Sequence, residues 1–264
     1  MRKSMEQEPI IGIVGGVGPY AGLDLSRKVL DQTRAATDQE HLNMVLLSWP
    51  RHVPDRSAFL LGRSEEDPVP GMVCCVQALE AVGATVAGIA CNTAHSPRLF
   101  GRLISTLRSK GSRIVVINMI QEVARFIQCH FPDVRRVGVL ATDGTVCTNT
   151  YGEVLEQEGF ATIYPDAQVQ RELVHSAIYD LAYGIKAYSA PVTARARSDV
   201  LEAARHLVIN KGAEALVLGC TELPLAVSEM LLNGKPVIDA SMVLARALVA
   251  SVEPDRLKPV DVGT

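Results

Sequence analysis

The sequence predicts an α/β protein: two pseudo-symmetric, doubly wound parallel-sheet units with a functional cleft between them. Three observations carry that expectation. Short β-branched runs alternate with longer helical patterns, as βα units do. Several of these runs are apolar at nearly every position, as strands buried on both faces require. The first half of the chain is also echoed in the second. Ile11-Gly12-Ile13-Val14 returns as Val137-Gly138-Val139-Leu140. Gly83-Ala84-Thr85 leads through an apolar run to Cys91-Asn92-Thr93, and Gly212-Ala213-Glu214 leads likewise to Cys220-Thr221-Glu222. The spacing between copies is nearly the same in both echoes and far too long for a solenoid.

In chain order, strands are expected at Ile10–Val14, Met44–Ser48, Thr85–Ala90, Ile114–Ile117, Val137–Leu140, Thr162–Tyr164, Ala215–Leu218 and Val237–Ile238. Pro19 can open a helix at its first turn. Ile120, Val123, Ala124 and Ile127 recur at helical spacing, as do Val200, Leu201, Ala204, Leu207 and Val208. Gly212 is placed to end the latter helix. The chain should divide near residue 119. Residues 1–119, rejoined by a segment from about 225 to 264, form the first unit, and residues 120–224 form the second.

Bulk properties narrow the function. The chain has 264 residues, is 48% hydrophobic and 21% charged, and carries a net charge of -3, which does not suggest nucleic acid or an anionic membrane as partner. No apolar run is long enough to span a bilayer. The stretch from Met1 to Pro9 is charged and short, unlike a signal peptide. The six cysteines show no CxxC or Cys/His metal spacing, so free thiols in a reducing cytoplasm are expected.

Cys91 and Cys220 are the candidates for chemistry. Each follows an apolar strand directly, and ligands of open parallel sheets bind at the carboxyl ends of strands. Two units facing each other would place the thiols on opposite sides of one cleft. That arrangement suits proton removal from one face of a carbon and return to the other. A thiol has an ordinary pKa near 8.5, and helix N-terminal amides, expected near Thr93 and Thr221, can lower it. Cys74, Cys75, Cys129 and Cys147 are expected to be core or interface residues. His95 and Glu222 follow the two cysteines and could help set thiol protonation or satisfy local hydrogen bonds. A rival reading comes from Gly16-x-Gly18-x-x-Ala21, which loosely fits a dinucleotide fingerprint. The acidic residue expected after the second strand is missing, because Leu46-Leu47-Ser48-Trp49 stands there.

At Cys91-Asn92-Thr93-Ala94-His95 and Gly219-Cys220-Thr221-Glu222 the chain resembles the aspartate/glutamate racemase superfamily, closest to its aspartate racemases. Gly15-Gly16-Val17-Gly18-Pro19 resembles the opening loop of that superfamily, with Val17 in place of the usual methionine. Asp38-Gln39-Glu40-His41, Pro54-Asp55-Arg56-Ser57 and Leu140-Ala141-Thr142-Asp143-Gly144-Thr145 match in order. The resemblance implies a homodimeric amino-acid racemase that needs neither pyridoxal phosphate nor any other cofactor or metal. It makes Cys91 and Cys220 the catalytic pair, with Cys220 serving the L form and Cys91 the D form. It also implies that Arg56 binds the substrate's side-chain carboxylate. A lysine after an Ile-Tyr pair does the same in that group. Here Ile178-Tyr179 is followed after extra residues by Lys186, and Tyr183 is the alternative for that position. Asn92, Thr93, Thr145 and Thr221 are candidates to hold the α-carboxylate through hydroxyls, side-chain amides and backbone N–H groups. Val17 is expected to touch substrate through its backbone, and Asp55 to order its loop. The substrate is expected to be aspartate. Glutamate or a wider amino-acid range is the alternative, as is a non-catalytic amino-acid or dicarboxylate binding protein on the same fold.

Overall fold

The computed structural model describes residues 8–260; residues 1–7 of the charged N-terminal stretch lie outside them. The first sheet contains β1 (Ile10–Val14), β2 (Asn43–Leu47), β3 (Ala84–Ile89) and β4 (Val115–Val116), in the order β2-β1-β3-β4. The second contains β5 (Arg136–Ala141), β6 (Ala161–Ile163), β7 (Ala215–Gly219), β8 (Leu231–Leu232) and β9 (Lys235–Asp239), in the order β6-β5-β7-β9-β8. Every pairing is parallel except β8 against β9. The winding β2-β1-β3-β4 is repeated as β6-β5-β7-β9, so the sequence echo corresponds to a repeat of topology. Each expected strand is present, displaced by a residue or two at most. The two-residue β8 had no pattern to announce it.

Helices follow the signals expected of them. Helix α1 (Pro19–Gln32) carries its proline in the first turn, where the missing N–H costs nothing. Short α2 (Arg56–Leu60) starts at Asp55, whose carboxylate accepts from the Ala58 N–H at 2.7 Å. Then come α3 (Val69–Ala81) and α4 (Pro97–Ser109). Helix α5 (Met119–His130) is capped by Asn118 and buries Ile120, Val123, Ala124 and Ile127. Helices α6 (Asp143–Cys147) and α7 (Thr150–Gln157) follow β5. Residues 167–179 run as α8 (Ala167–Val169), a π-helical turn at Gln170–His175 and α9 (Ser176–Tyr179). Helix α10 (Ala194–Ile209) buries Val200, Ala204, Leu207 and Val208, while Leu201 is half-buried. It stops at Asn210, and Gly212, at φ +71°, makes the turn into β7. Four-residue α11 (Leu223–Ala226) and α12 (Ala240–Val252) complete the set.

The expected return at about residue 225 needs correction. Strand β9 is hydrogen-bonded to β7 and belongs to the second sheet, where Val237 and Ile238 pair with Leu216 and Val217. The return begins only at α12, capped by Asp239, which packs on α1, α5 and β3, and it continues through Arg256–Lys258, which hydrogen-bond to the segment after α1. One apolar cluster thereby joins the halves. It contains Ile11, Ile13 and Val86 of the first sheet, Val137, Val139 and Val217 of the second, and Ile127, Leu244 and Leu248 from the helices between. Burying each such side chain stabilises the fold by roughly 1.5–3 kcal/mol. Of the remaining cysteines, Cys75 is buried, whereas Cys74, Cys129 and Cys147 are exposed and so do not fit a core role.

Candidate active site

Strand order reverses between β1 and β3 in one sheet and between β5 and β7 in the other. Such switch points leave a crevice at the carboxyl ends of the strands. The loops after these strands carry Gly15–Pro19, Cys91–His95, Thr142–Thr145 and Cys220–Glu222. They converge on a narrow, nearly closed cavity lined by Val17, Arg56, Ser57, Cys91, Asn92, Thr93, Thr142, Tyr179, Lys186, Cys220, Thr221 and Glu222. A roomier hollow lies elsewhere, against Lys28, Phe126, Phe131 and Met230, but it contains neither thiol. Size therefore does not mark the chemistry in this protein.

The glycines of the first loop allow the convergence. A Cβ on Gly16 would lie 2.4 Å from the Trp49 backbone nitrogen, and one on Gly18 would lie 2.8 Å from Glu222 Oε1. Close packing within the protein accounts for these glycines, so the dinucleotide reading gains nothing from them. Asp55, besides capping α2, accepts from the Tyr179 hydroxyl at 3.4 Å.

Arg56 is buried beside Cys91. Its guanidinium donates to the carbonyls of Val17, Val53 (3.4 Å) and Pro54 (3.2 Å), while its Nε is buried without a partner. Burial opposes its charge, yet the neighbouring Cys91, Asp55 and Tyr179 outweigh that cost and raise its proton affinity. Asn92 is held from the other half of the molecule: the Tyr151 hydroxyl donates to its Oδ1 at 2.5 Å. That contact leaves the buried Asn92 Nδ2 without a protein partner at the cavity wall. Behind it, the hydroxyls of Thr93, Thr142, Thr145 and Ser57 lie 2.9–3.2 Å apart in one cluster. Thr145 does not line the cavity; it backs Thr93 at 2.9 Å.

Lys186 reaches the cavity by a local fold-back. The Ile185 and Lys186 N–H groups donate to the carbonyls of Ala177 and Ile178, at 2.8 and 3.1 Å, and Gly184 closes onto Asp180. The extra residues after Tyr179 loop outward, and Leu181 is 89% exposed. Lys186 lies over the Tyr179 ring and donates to Glu222 Oε1 at 2.6 Å. Tyr183 instead packs under Arg195, away from the cavity.

Cys220 has a different setting. Its thiol donates to Glu222 Oε2 at 3.0 Å, and the Thr221 hydroxyl lies 3.3 Å from the same oxygen. The expected lowering by a helix N-terminus is not found here. Burial and the Glu222 charge push the Cys220 thiol well above its ordinary range, and four-residue α11 is too short to counter them. Glu222 itself is held below its usual range despite burial, chiefly by Lys186. His95 stays outside the cavity, its Nε2 3.3 Å from the Ile89 carbonyl and its ring stacked on Phe100. Burial lowers its pKa to about 4.

Sequence reasoning did not single out Ser57, Thr142 and Tyr179 as cavity residues, although each stood inside a motif already recognised. Tyr151 had no signal at all, because its role depends on contact with the other half. Among the described residues, no helix is long and apolar enough to cross a membrane, and no cluster of three His, Cys, Asp or Glu residues could hold a metal ion.

Comparison with known proteins gives a consistent picture. The sequence pattern described as Asp/Glu/Hydantoin racemase matches residues 14–248. An aspartate racemase from Picrophilus torridus superposes with a TM-score of 0.77 at 29% identity, covering 95% of this chain and 96% of that one. An aspartate racemase homologue from Pyrococcus horikoshii gives 0.68 at 23% identity, over 92% and 98% of the two chains. An allantoin racemase from Klebsiella pneumoniae, at 16% identity and a TM-score of 0.59 over 96% and 91%, shares the fold. An uncharacterized protein from Pectobacterium carotovorum is 33% identical over 94 residues, 36% of this chain, and the match spans only 57% of that relative's length.

Proposed function

The chain belongs to the Asp/Glu/Hydantoin racemase family, and on that premise we propose that it interconverts L- and D-aspartate by proton transfer between Cys91 and Cys220, with no cofactor. The observation that carries this reading is the meeting of two thiols, from equivalent strand ends of a repeated unit, on one cavity. One thiolate takes the α-proton while the opposite thiol donates to the other face of the carbon. Charge develops on the α-carboxylate as the proton leaves, and donors aimed there lower the barrier. Asn92 Nδ2, Thr93 and Thr221 are suited to that task, with Thr145 steadying Thr93 and the Val17 backbone closing the cavity.

Arg56 and Lys186 would hold the side-chain carboxylate. Lys186 commits one of its three donors to Glu222 and keeps others for a ligand. In this reading the protein works as a homodimer in the cytoplasm, where its free cysteines stay reduced. The test is a screen of L- and D-amino acids in deuterium oxide, following α-proton loss by NMR. Aspartate should exchange fastest, without added pyridoxal phosphate. Faster exchange of glutamate would replace the substrate. Binding of aspartate with no exchange of any amino acid would make the protein a binding protein.

A further inference from the structure

We propose that Glu222 is the positioning residue that keeps the proton on Cys220 in the free protein, so that Cys220 begins as the acid of the pair. The inference rests on the racemase reading for its catalytic meaning, but its geometry stands alone. Cys220 Sγ donates to Glu222 Oε2 at 3.0 Å, and Lys186 Nζ occupies the other carboxylate oxygen, Oε1, at 2.6 Å. Glu222 is thus kept ionised by one neighbour and used as an acceptor by the other. A thiolate at Cys220 would lose this hydrogen bond and face a carboxylate across it in a buried site, where charges are screened least.

The groups facing Cys220 agree with that assignment. Glu222 and burial favour the thiol, Lys186 favours the thiolate, and Tyr151 and Tyr179 are uncharged near neutral pH. Arg56 faces Glu222 from the first unit and helps keep it ionised. No charged partner of this kind sits two residues after Cys91, where Thr93 stands within a cluster of hydroxyls. A racemase must begin each turnover with one member of its pair protonated. Here that choice is set at Cys220 before substrate arrives, and the free protein is prepared to donate a proton from the face that Cys220 addresses. In the opposite direction Cys220 must first release its proton, and Glu222 Oε2 is the nearest acceptor for it.

Site-resolved alkylation by iodoacetamide, read by mass spectrometry across pH 6–10, tests this without any substrate. Only thiolate reacts, so the pH profile of each site reports its proton. In the unaltered protein, Cys220 should react only towards the alkaline end of that range. Glu222→Gln should move the Cys220 profile down by about one pH unit or more, a tenfold gain in thiolate below the midpoint. Lys186→Met should move it up. Loss of packing would expose Cys220 in both variants and shift both profiles the same way. Opposite shifts support the proposal. An unmoved Cys220 profile in Glu222→Gln, or like shifts in both variants, overturns it. The absence of racemisation would instead refute the function proposed above and would leave this coupling to stand or fall on alkylation.

Discussion

Cys91 leaves β3 beside a cation, Arg56, whereas Cys220 leaves β7 beside a carboxylate, Glu222, that is itself paired with Lys186. The backbone around the two is nearly the same: a strand at the switch point of its sheet, the thiol, then a short helical turn. Repetition therefore explains where the thiols are and not how they differ. Arg56 comes from the segment after β2, and Lys186 from the fold-back after Tyr179. The symmetry is broken inside the repeated motif, by Glu222 where the first copy has Thr93, and outside it, by Arg56 and Lys186.

The strongest way to break the comparison is to remove either thiol. Cys91→Ser and Cys220→Ser should each lower net racemisation at least a thousandfold, roughly 4 kcal/mol in barrier, because serine is a far poorer acid. Exchange should persist on one side only. Cys91→Ser should still wash deuterium into L-aspartate, and Cys220→Ser into D-aspartate. Exchange of both enantiomers by either variant would mean that one base reaches both faces, and the two ends would then not be counterparts.

Arg56 tests the cationic end. Arg56→Ala should reduce kcat/KM for aspartate by roughly 1.5–3 kcal/mol, about tenfold to a hundredfold, the range for a hydrogen bond to a charged group. Neutral amino acids should lose less. Equal losses for both would assign Arg56 to holding the Val17, Val53 and Pro54 carbonyls rather than to substrate.

His95 and Glu222 sharpen the contrast through pH. Burial holds His95 neutral down to about pH 4. The unfolded chain takes up that proton from about pH 6.5 downward, so the folded state loses stability as pH falls through this window. From pH 7 to pH 4.5 the loss due to His95 should be about 2–3 kcal/mol. Chemical denaturation of His95→Phe, which keeps a ring to stack on Phe100, should show a shallower decline. An unchanged slope would place the acid sensitivity in the carboxylates, Glu222 among them.

The smallest effect belongs to Tyr151, which serves the Cys91 end from the other half. Tyr151→Phe removes the donor that orients Asn92 and should cost about 0.5–1.5 kcal/mol. It should appear in KM more than in kcat, since Asn92 remains present but less well aimed. A change confined to thermal stability would make Tyr151 a packing residue.

How much of this was legible in the sequence depends on how local each feature is. Strands such as Ile10–Val14 and Ala215–Gly219 announced themselves because residues buried on both faces must be apolar throughout. The thiols followed from strand ends, and Lys186 from a motif whose spacing was disturbed. The sheet to which β9 belongs was not legible, since pairing with β7 depends on the path of the connection through α11 and β8 rather than on β9's own residues. The state of Cys220 was misjudged for a similar reason. Helix amides could be inferred from nearby sequence, but burial and the contact between Lys186 and Glu222 arise only when distant segments meet.

The crossing of α12 imposes an order in time on synthesis. A ribosome releases the first sheet and α1 long before residues 240–252, yet α12 covers faces of α1, α5 and β3. Domains ordinarily fold as units while the chain emerges, but here the earlier half cannot close its apolar surface on its own. Leu244 and Leu248, which pack over Gly88 of β3, arrive after the whole second sheet has been made. The nascent chain must carry that uncovered surface while the second sheet is made, and a chain interrupted before residue 240 would retain it.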